Sequence, residues 1–143
     1  MRAVTKTIET FVKQVVTASP DDTLASVARL MDRHNVGAVV LVENHKPVGI
    51  VTDRDLALEL GARGLSPQAP ARKAMHSPVQ WVYRDDGVFD TTQALMEHGV
   101  RRLPVVDNDD ELVGIVTLDD LLRVLSRELS NLSQGIKSEM EVK

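Results

Sequence analysis

The chain has 143 residues, 43% of them apolar and 27% charged, with a net charge of −4 and no cysteine. Those values fit one compact globular domain. They set aside a broad nucleic-acid footprint, which needs a basic face, and also disulfides, thiolate catalysis and cysteine-ligated metal. No apolar stretch approaches the roughly 18 residues of a membrane span and no signal-type segment follows Met1-Arg2-Ala3, so a cytoplasmic, membrane-free protein is expected.

Taken in order, residues 1–14 scatter Ile8, Phe11 and Val12 among polar residues, as a lead-in packed on the body would. Val15-Val16-Thr17-Ala18 is a short β-type run. Ser19-Pro20-Asp21-Asp22 reads as a helix start, with a hydroxyl cap, a first-turn proline and carboxylates at the positive end of the dipole. Leu24, Val27, Ala28 and Met31 follow at helical spacing, and Asn35 is a suitable left-handed stop. Ala38 to Val42 and Val48 to Val51 read as a strand hairpin around Glu43-Asn44-His45-Lys46-Pro47. After Thr52 a helix carries Leu56, Ala57 and Leu60 to Gly61, and residues 62–72, with Gly64, Pro67 and Pro70, read as a linker.

The same order then recurs. Lys73-Ala74-Met75 leads in, Val79-Gln80-Trp81-Val82 is the β-type run, and Asp85-Asp86 open a helix bearing Val88, Leu95 and Met96 that Gly99 closes. Leu103 to Val106 and Leu112 to Val116 are the strands, with Asp107-Asn108-Asp109-Asp110 between them. The last helix follows Thr117 and outlasts its counterpart. Its surplus from Ser126 to Lys143 is amphipathic and then polar, suited equally to covering a partner subunit and to fraying.

The recurrence is a sequence repeat. Pro47-Val48-Gly49-Ile50-Val51-Thr52-Asp53-Arg54-Asp55-Leu56 returns as Leu112-Val113-Gly114-Ile115-Val116-Thr117-Leu118-Asp119-Asp120-Leu121, and His34 and Val36 return as His98 and Val100. Neither copy, at about 60 residues, buries enough surface to stand well alone. Thr-x-x-Asp between strand and helix is in the first place a capping arrangement. The same geometry also suits a nucleoside phosphate: the helix start and Thr hydroxyl face phosphate, and the carboxylate accepts from ribose hydroxyls.

With the motif given twice and Val-Arg-Arg-Leu-Pro-Val-Val-Asp at 100–107, the chain resembles a tandem pair of cystathionine-β-synthase (CBS) domains, a Bateman module, over roughly residues 10–126. The resemblance implies an α+β fold of two pseudo-twofold-related β-α-β-β-α units. The units are a first repeat with its lead-in at 1–62, a linker at 63–72, a second repeat at 73–126 and a helical extension at 127–143. It further implies a regulatory module without catalytic residues or resident metal, binding AMP, ADP, ATP or S-adenosylmethionine, with or without Mg²⁺. A homodimer signalling to an effector protein that the sequence does not identify is expected.

Carried over by position, one pocket comprises Thr52, Arg54 and Asp55 with Pro78, Val79, Val100, Arg101, Arg102, Leu103 and Pro104. The other comprises Thr117, Asp119 and Asp120 with Gln14, Val15, Val36, Gly37, Ala38 and Val39. Arg101-Arg102 stands where the first repeat has Gly37-Ala38, and Arg54 where the second has Asp119, so the Thr52/Asp55 pocket is expected to be the stronger phosphate site. A CBS-fold scaffold with vacant pockets is the alternative.

Other candidates weigh less. Asp53-Arg54-Asp55 superficially resembles the nucleophile pair of haloacid-dehalogenase-like phosphatases, but the second copy, Leu118-Asp119-Asp120, loses the first carboxylate. His34 and His98 suit helix C-termini, and His45 and His76 are expected to face solvent. Trp81 and Tyr83 are expected at the seam between the halves.

Overall fold

The computed structural model describes residues 7–77 and 79–142, apart from the side chains of residues 10, 11 and 138–142, so Pro78 and the side chain of Phe11 among the expected features lie outside the description. The elements in chain order are β1 (Thr17–Ala18), α1 (Leu24–His34), β2 (Ala38–Glu43), β3 (Lys46–Thr52) and α2 (Asp53–Leu56), which runs straight into a π-helical segment (Ala57–Ala62). Then come β4 (Val82–Tyr83), α3 (Val88–His98), β5 (Arg102–Val106), β6 (Leu112–Thr117) and α4 (Leu118–Val142). Short 3-10 turns at Ile8–Phe11 and Ala71–Lys73 precede the two units.

Each unit carries a three-stranded sheet, in the orders β1-β2-β3 and β4-β5-β6. The first strand of each lies parallel to the second and the hairpin strands are antiparallel, with register shifts between Leu41 and Val42 and between Val105 and Val106. The α+β repeat is therefore present in the register as well as in the element order. Asn35 (φ 53°) and Gly99 (φ 63°) end α1 and α3 in the left-handed conformation, as the sequence predicts.

Helix α1 starts later than expected. Its cap is Thr23, whose hydroxyl accepts from Ser26 N at 3.1 Å. The Ser19–Asp22 stretch instead closes a turn, and its carbonyls point away from the helix: Pro20 O accepts from Arg72 N at 2.9 Å and Asp22 O from Ala71 N at 2.7 Å. Those carbonyls tie down the linker, so they cannot enter a helical ladder. Helix α3 likewise opens at Val88 rather than at the aspartates, because Asp86 Oδ2 accepts from Tyr83 N at 2.9 Å and holds the preceding turn.

The two lead-ins are exchanged. Ile8, fully buried, packs with Val82, Leu95, Leu103, Val105, Val116 and Leu121 in the core of the second unit. Ala71 and Ala74 lie in the core of the first, with Leu24, Val27, Leu41 and Val51. Lys13 pairs as a bridge with Ile115, and His76 with Ile50. These crossings explain the glycine that opens each repeated phrase. A Cβ at Gly49 would come within 2.9 Å of Met75 Cβ, and one at Gly114 within 2.6 Å of the Lys13 carbonyl oxygen. The backbone of one unit's lead-in therefore lies directly on the other unit's strand, and the halves interlock.

Candidate functional site

Both Thr-x-x-Asp motifs sit where a strand ends and a helix begins, at equivalent points of the two units. At the first, Thr52 Oγ1 accepts from Asp55 N at 3.2 Å and Asp55 Oδ2 accepts from Thr52 N at 2.8 Å, a reciprocal capping box. At the second, Asp120 N donates to Thr117 Oγ1 at 3.2 Å and the Thr117 hydroxyl donates to Asp120 Oδ2 at 2.8 Å. The capping role and a ligand role draw on the same atoms. Capping engages one carboxylate oxygen and leaves the other to face outward.

That outward oxygen meets a basic side chain from the exchanged lead-in. Lys13 Nζ lies 3.0 Å from Asp120 Oδ1, and His76 Nε2 lies 2.8 Å from Asp55 Oδ1. Arg123 adds a second contact to Asp120 at 3.3 Å. Burial alone would push the Asp120 carboxyl up, but hydrogen bonds with Lys13 and Thr117 and the charges of Lys13 and Arg123 more than offset it, so its pKa is held below the usual carboxylate range. His76, expected to face solvent, is 70% exposed, and it also has this partner.

Thr117 opens on a cleft of about 260 Å³ whose other wall is the first unit: Gln14, Val15, Val16, Val36, Gly37 and Ala38, with Lys13, Arg102 and Ile115 completing it. The structure thus brings together Thr117, Gln14, Val15, Val36, Gly37 and Ala38 from the expected set, with Asp120 beside them through its bond to Thr117. A hollow of about 470 Å³ adjoins it, sharing Gln14, Val15, Val16 and Val36 and extending to Thr17, Leu30 and His34. Val39 lies elsewhere: it is fully buried in the core of the first unit, because it is an inward residue of β2.

On the Thr52/Asp55 side, Val79 is half-buried and Val100 is 39% exposed, whereas Leu103 and Pro104 are buried, Leu103 in the core of the second unit. Arg54 is exposed in the first turn of α2. Of the two arginines assigned to this pocket, Arg102 stays beside the first motif's helix start, since Gly37 O, which it reaches, also accepts from Asp53 N at 3.0 Å. Arg101 pairs with Asp119 at 3.0 Å on the surface, and Arg102 Nη1 reaches across to Gly37 O at 3.3 Å and lines the Thr117 cleft. Lys13 and Arg123 thus place positive charge on the Asp120 carboxylate, and Arg102 stands between the two motifs, whereas the sequence reading put the arginine pair at the Thr52/Asp55 pocket alone. Sequence reasoning missed Lys13 altogether, because its pairing depends on the lead-in exchange.

Among the described residues no group of His, Asp and Glu is arranged to hold a metal ion, and no helix is long and apolar enough to cross a membrane.

A family model described as CBS domain matches residues 8–62 and again 71–127. The CBS domain-containing protein YhcV of Bacillus subtilis is 39% identical over 127 residues, spanning 89% of this chain and 88% of its own. MK0525 of Methanopyrus kandleri is 36% identical over 131 residues, 90% of this chain and 67% of its own. Among solved structures, the CBS domain protein PAE2072 from Pyrobaculum aerophilum, complexed with AMP, superposes with a TM-score of 0.77 at 28% identity, covering 88% of this chain and 99% of that one.

Proposed function

The chain belongs to the CBS-domain family as a tandem pair of repeats, and from that premise we propose that it is a regulatory module whose Thr117/Asp120 cleft takes an adenosine nucleotide. The observation that carries this is the composition of the cleft, with a Thr-x-x-Asp helix start from one repeat facing an apolar wall and backbone from the other. The AMP-bound relative supports the ligand class. In this arrangement the ribose hydroxyls replace Lys13 and Arg123 on Asp120 Oδ1. Lys13 is 60% exposed and swings to the phosphate, joined by Arg102 and the Thr117 hydroxyl. Val15, Val16 and Val36 offer the base an apolar edge.

A ligand held by both repeats binds one relative orientation of them better than another, and so shifts the population between orientations. An effector protein, or a change of assembly in a homodimer, would receive that shift. Mg²⁺ would accompany only the polyphosphate ligands, whose charge exceeds what Lys13 and Arg102 neutralise.

One observation favours the vacant-scaffold reading: each motif carboxylate already has a basic partner from the chain itself. Calorimetric and thermal-shift titration with AMP, ADP, ATP and S-adenosylmethionine separates the two. A ligand at about 100 times its Kd stabilises by roughly 2.7 kcal/mol, whereas a flat response to all four selects the scaffold.

A further inference from the structure

We infer that α4 pairs, parallel and in register, with α4 of a second copy of this chain through a seam from Leu122 to Ile136. This inference is independent of the nucleotide proposal. The apolar residues Leu122, Leu125, Leu129, Leu132 and Ile136 recur at alternating steps of three and four, the 3.5-residue period of a two-helix supercoil. The helix meets its own body through its first turn, where Leu121 is 1% exposed, Asp120 is buried and Leu118 packs on the core of the second unit.

The seam itself faces outward. Leu122, Leu125, Leu129, Leu132 and Ile136 are 53%, 41%, 67%, 63% and 54% exposed. From Leu125 to Lys137 every residue of α4 is exposed, so the helix has left the body that would stabilise it. That stretch is rich in weak helix formers, Ser126, Ser130, Asn131, Ser133 and Gly135, and an isolated helix of this length is marginal in water. Packing along the leucine line supplies what local propensity lacks.

The chemistry of the flanks selects the partner. With Leu122 at the first core position of the heptad, the flanking positions hold Ser126, Glu128, Ser133 and Gly135, and in a parallel pair Glu128 lies opposite Ser133 of the other helix, so two such helices approach without facing like charges. Over 118–142 three basic residues stand against five acidic ones, the wrong balance for an anionic lipid surface. At about 100 Å² per side chain, the five exposed seam residues with Phe89 and Met96 of the neighbouring α3 (81% and 76% exposed) approach the roughly 800 Å² per partner of a stable interface. Parallel pairing keeps the α3 side of both bodies at the same end as that contact.

Because the chain lacks cysteine, a single introduced thiol reports unambiguously. In the purified full-length protein, Leu125→Cys and Leu132→Cys should each form an interchain disulfide under mild oxidation, while Gln134→Cys, on the opposite face, should not. The double variant Leu129→Asp/Leu132→Asp should raise the dimer dissociation constant at least 100-fold by sedimentation, with the thermal unfolding of the body unchanged. Crosslinking at Gln134→Cys equal to that at the seam positions, crosslinking at only one seam position, or none at either, overturns the inference.

Discussion

The Lys13 ammonium stands 3.0 Å from the Asp120 carboxylate across the boundary between the repeats, joining the lead-in of one unit to the motif of the other. Asp120 has 9% of its side chain exposed, so the pair is far better shielded at the acid than at the base. Its carboxyl is held below the usual range in the folded protein, so the unfolded chain takes up the proton first as pH falls. The contribution to stability is full above the unfolded value of about 3.9 and is lost as pH drops through the folded one. Urea unfolding of wild type and Asp120→Asn between pH 7 and pH 3 should therefore show a difference that is largest near neutrality and narrows in acid. A difference constant with pH would assign the loss to packing alone.

The exchange of lead-ins makes its own prediction through two glycines. Gly114→Ala forces a methyl against the Val12 side chain and the backbone carbonyl of Lys13, which can yield only if the lead-in lifts away. Gly49→Ala meets Met75, whose Sδ would lie 2.5 Å away at the end of a flexible side chain, although its Cβ is also close. Both should destabilise by about 1–3 kcal/mol, with Gly114→Ala the worse of the two, as read from denaturation midpoints at unchanged m. Met75→Ala should recover part of the loss at position 49 and nothing at position 114.

Much of this architecture is legible from the chain alone, because local rules act on the repeat twice. Asn35 and Gly99 stop their helices through left-handed geometry, and Gly49 and Gly114 mark the same strand position. The exchange is not legible, since Lys73-Ala74-Met75 and Ile8-Val12 are short apolar segments that would pack equally on either core. The start of α1 is hidden for a related reason: Ser19-Pro20-Asp21-Asp22 has the chemistry of a helix start, but the Pro20 and Asp22 carbonyls are drawn to Arg72 and Ala71, some 50 residues away. At the site, Thr117 and the Gln14 to Ala38 wall follow from repeat symmetry, whereas the direction of Arg102 depends on a long side chain at a strand end, which symmetry leaves free.

Arg102 and Arg101 are adjacent but placed apart, which separates a cleft cation from a surface one. Arg102→Gln removes the guanidinium that lines the cleft and should weaken AMP about tenfold while leaving adenosine nearly unchanged. Arg101→Gln breaks an ion pair with Asp119 in which both side chains are mostly exposed, worth less than about 1 kcal/mol, and should leave both affinities within a factor of two. Titration calorimetry of the two variants with both ligands decides this. A phosphate-specific loss at Arg101 instead would return the arginine pair to the Thr52 side.

The ranking of the two motifs follows from the same charges. Lys13 and Arg123 gather on Asp120 and Arg102 lines the Thr117 cleft from between the motifs, while His76 is the one basic partner of the Asp55 carboxylate among the contacts described. A phosphorylated adenosine should lose more affinity on Asp120→Ala than on Asp55→Ala, the reverse of what counting arginines along the sequence suggests. Removing Asp120 takes away the acceptor for the ribose hydroxyls, and the loss should exceed tenfold. Asp55→Ala leaves the Thr117 cleft intact and should shift AMP affinity by less than threefold. Equal losses would mean that ribose is gripped at both motifs, and a larger loss at Asp55 would place the nucleotide at the first helix start.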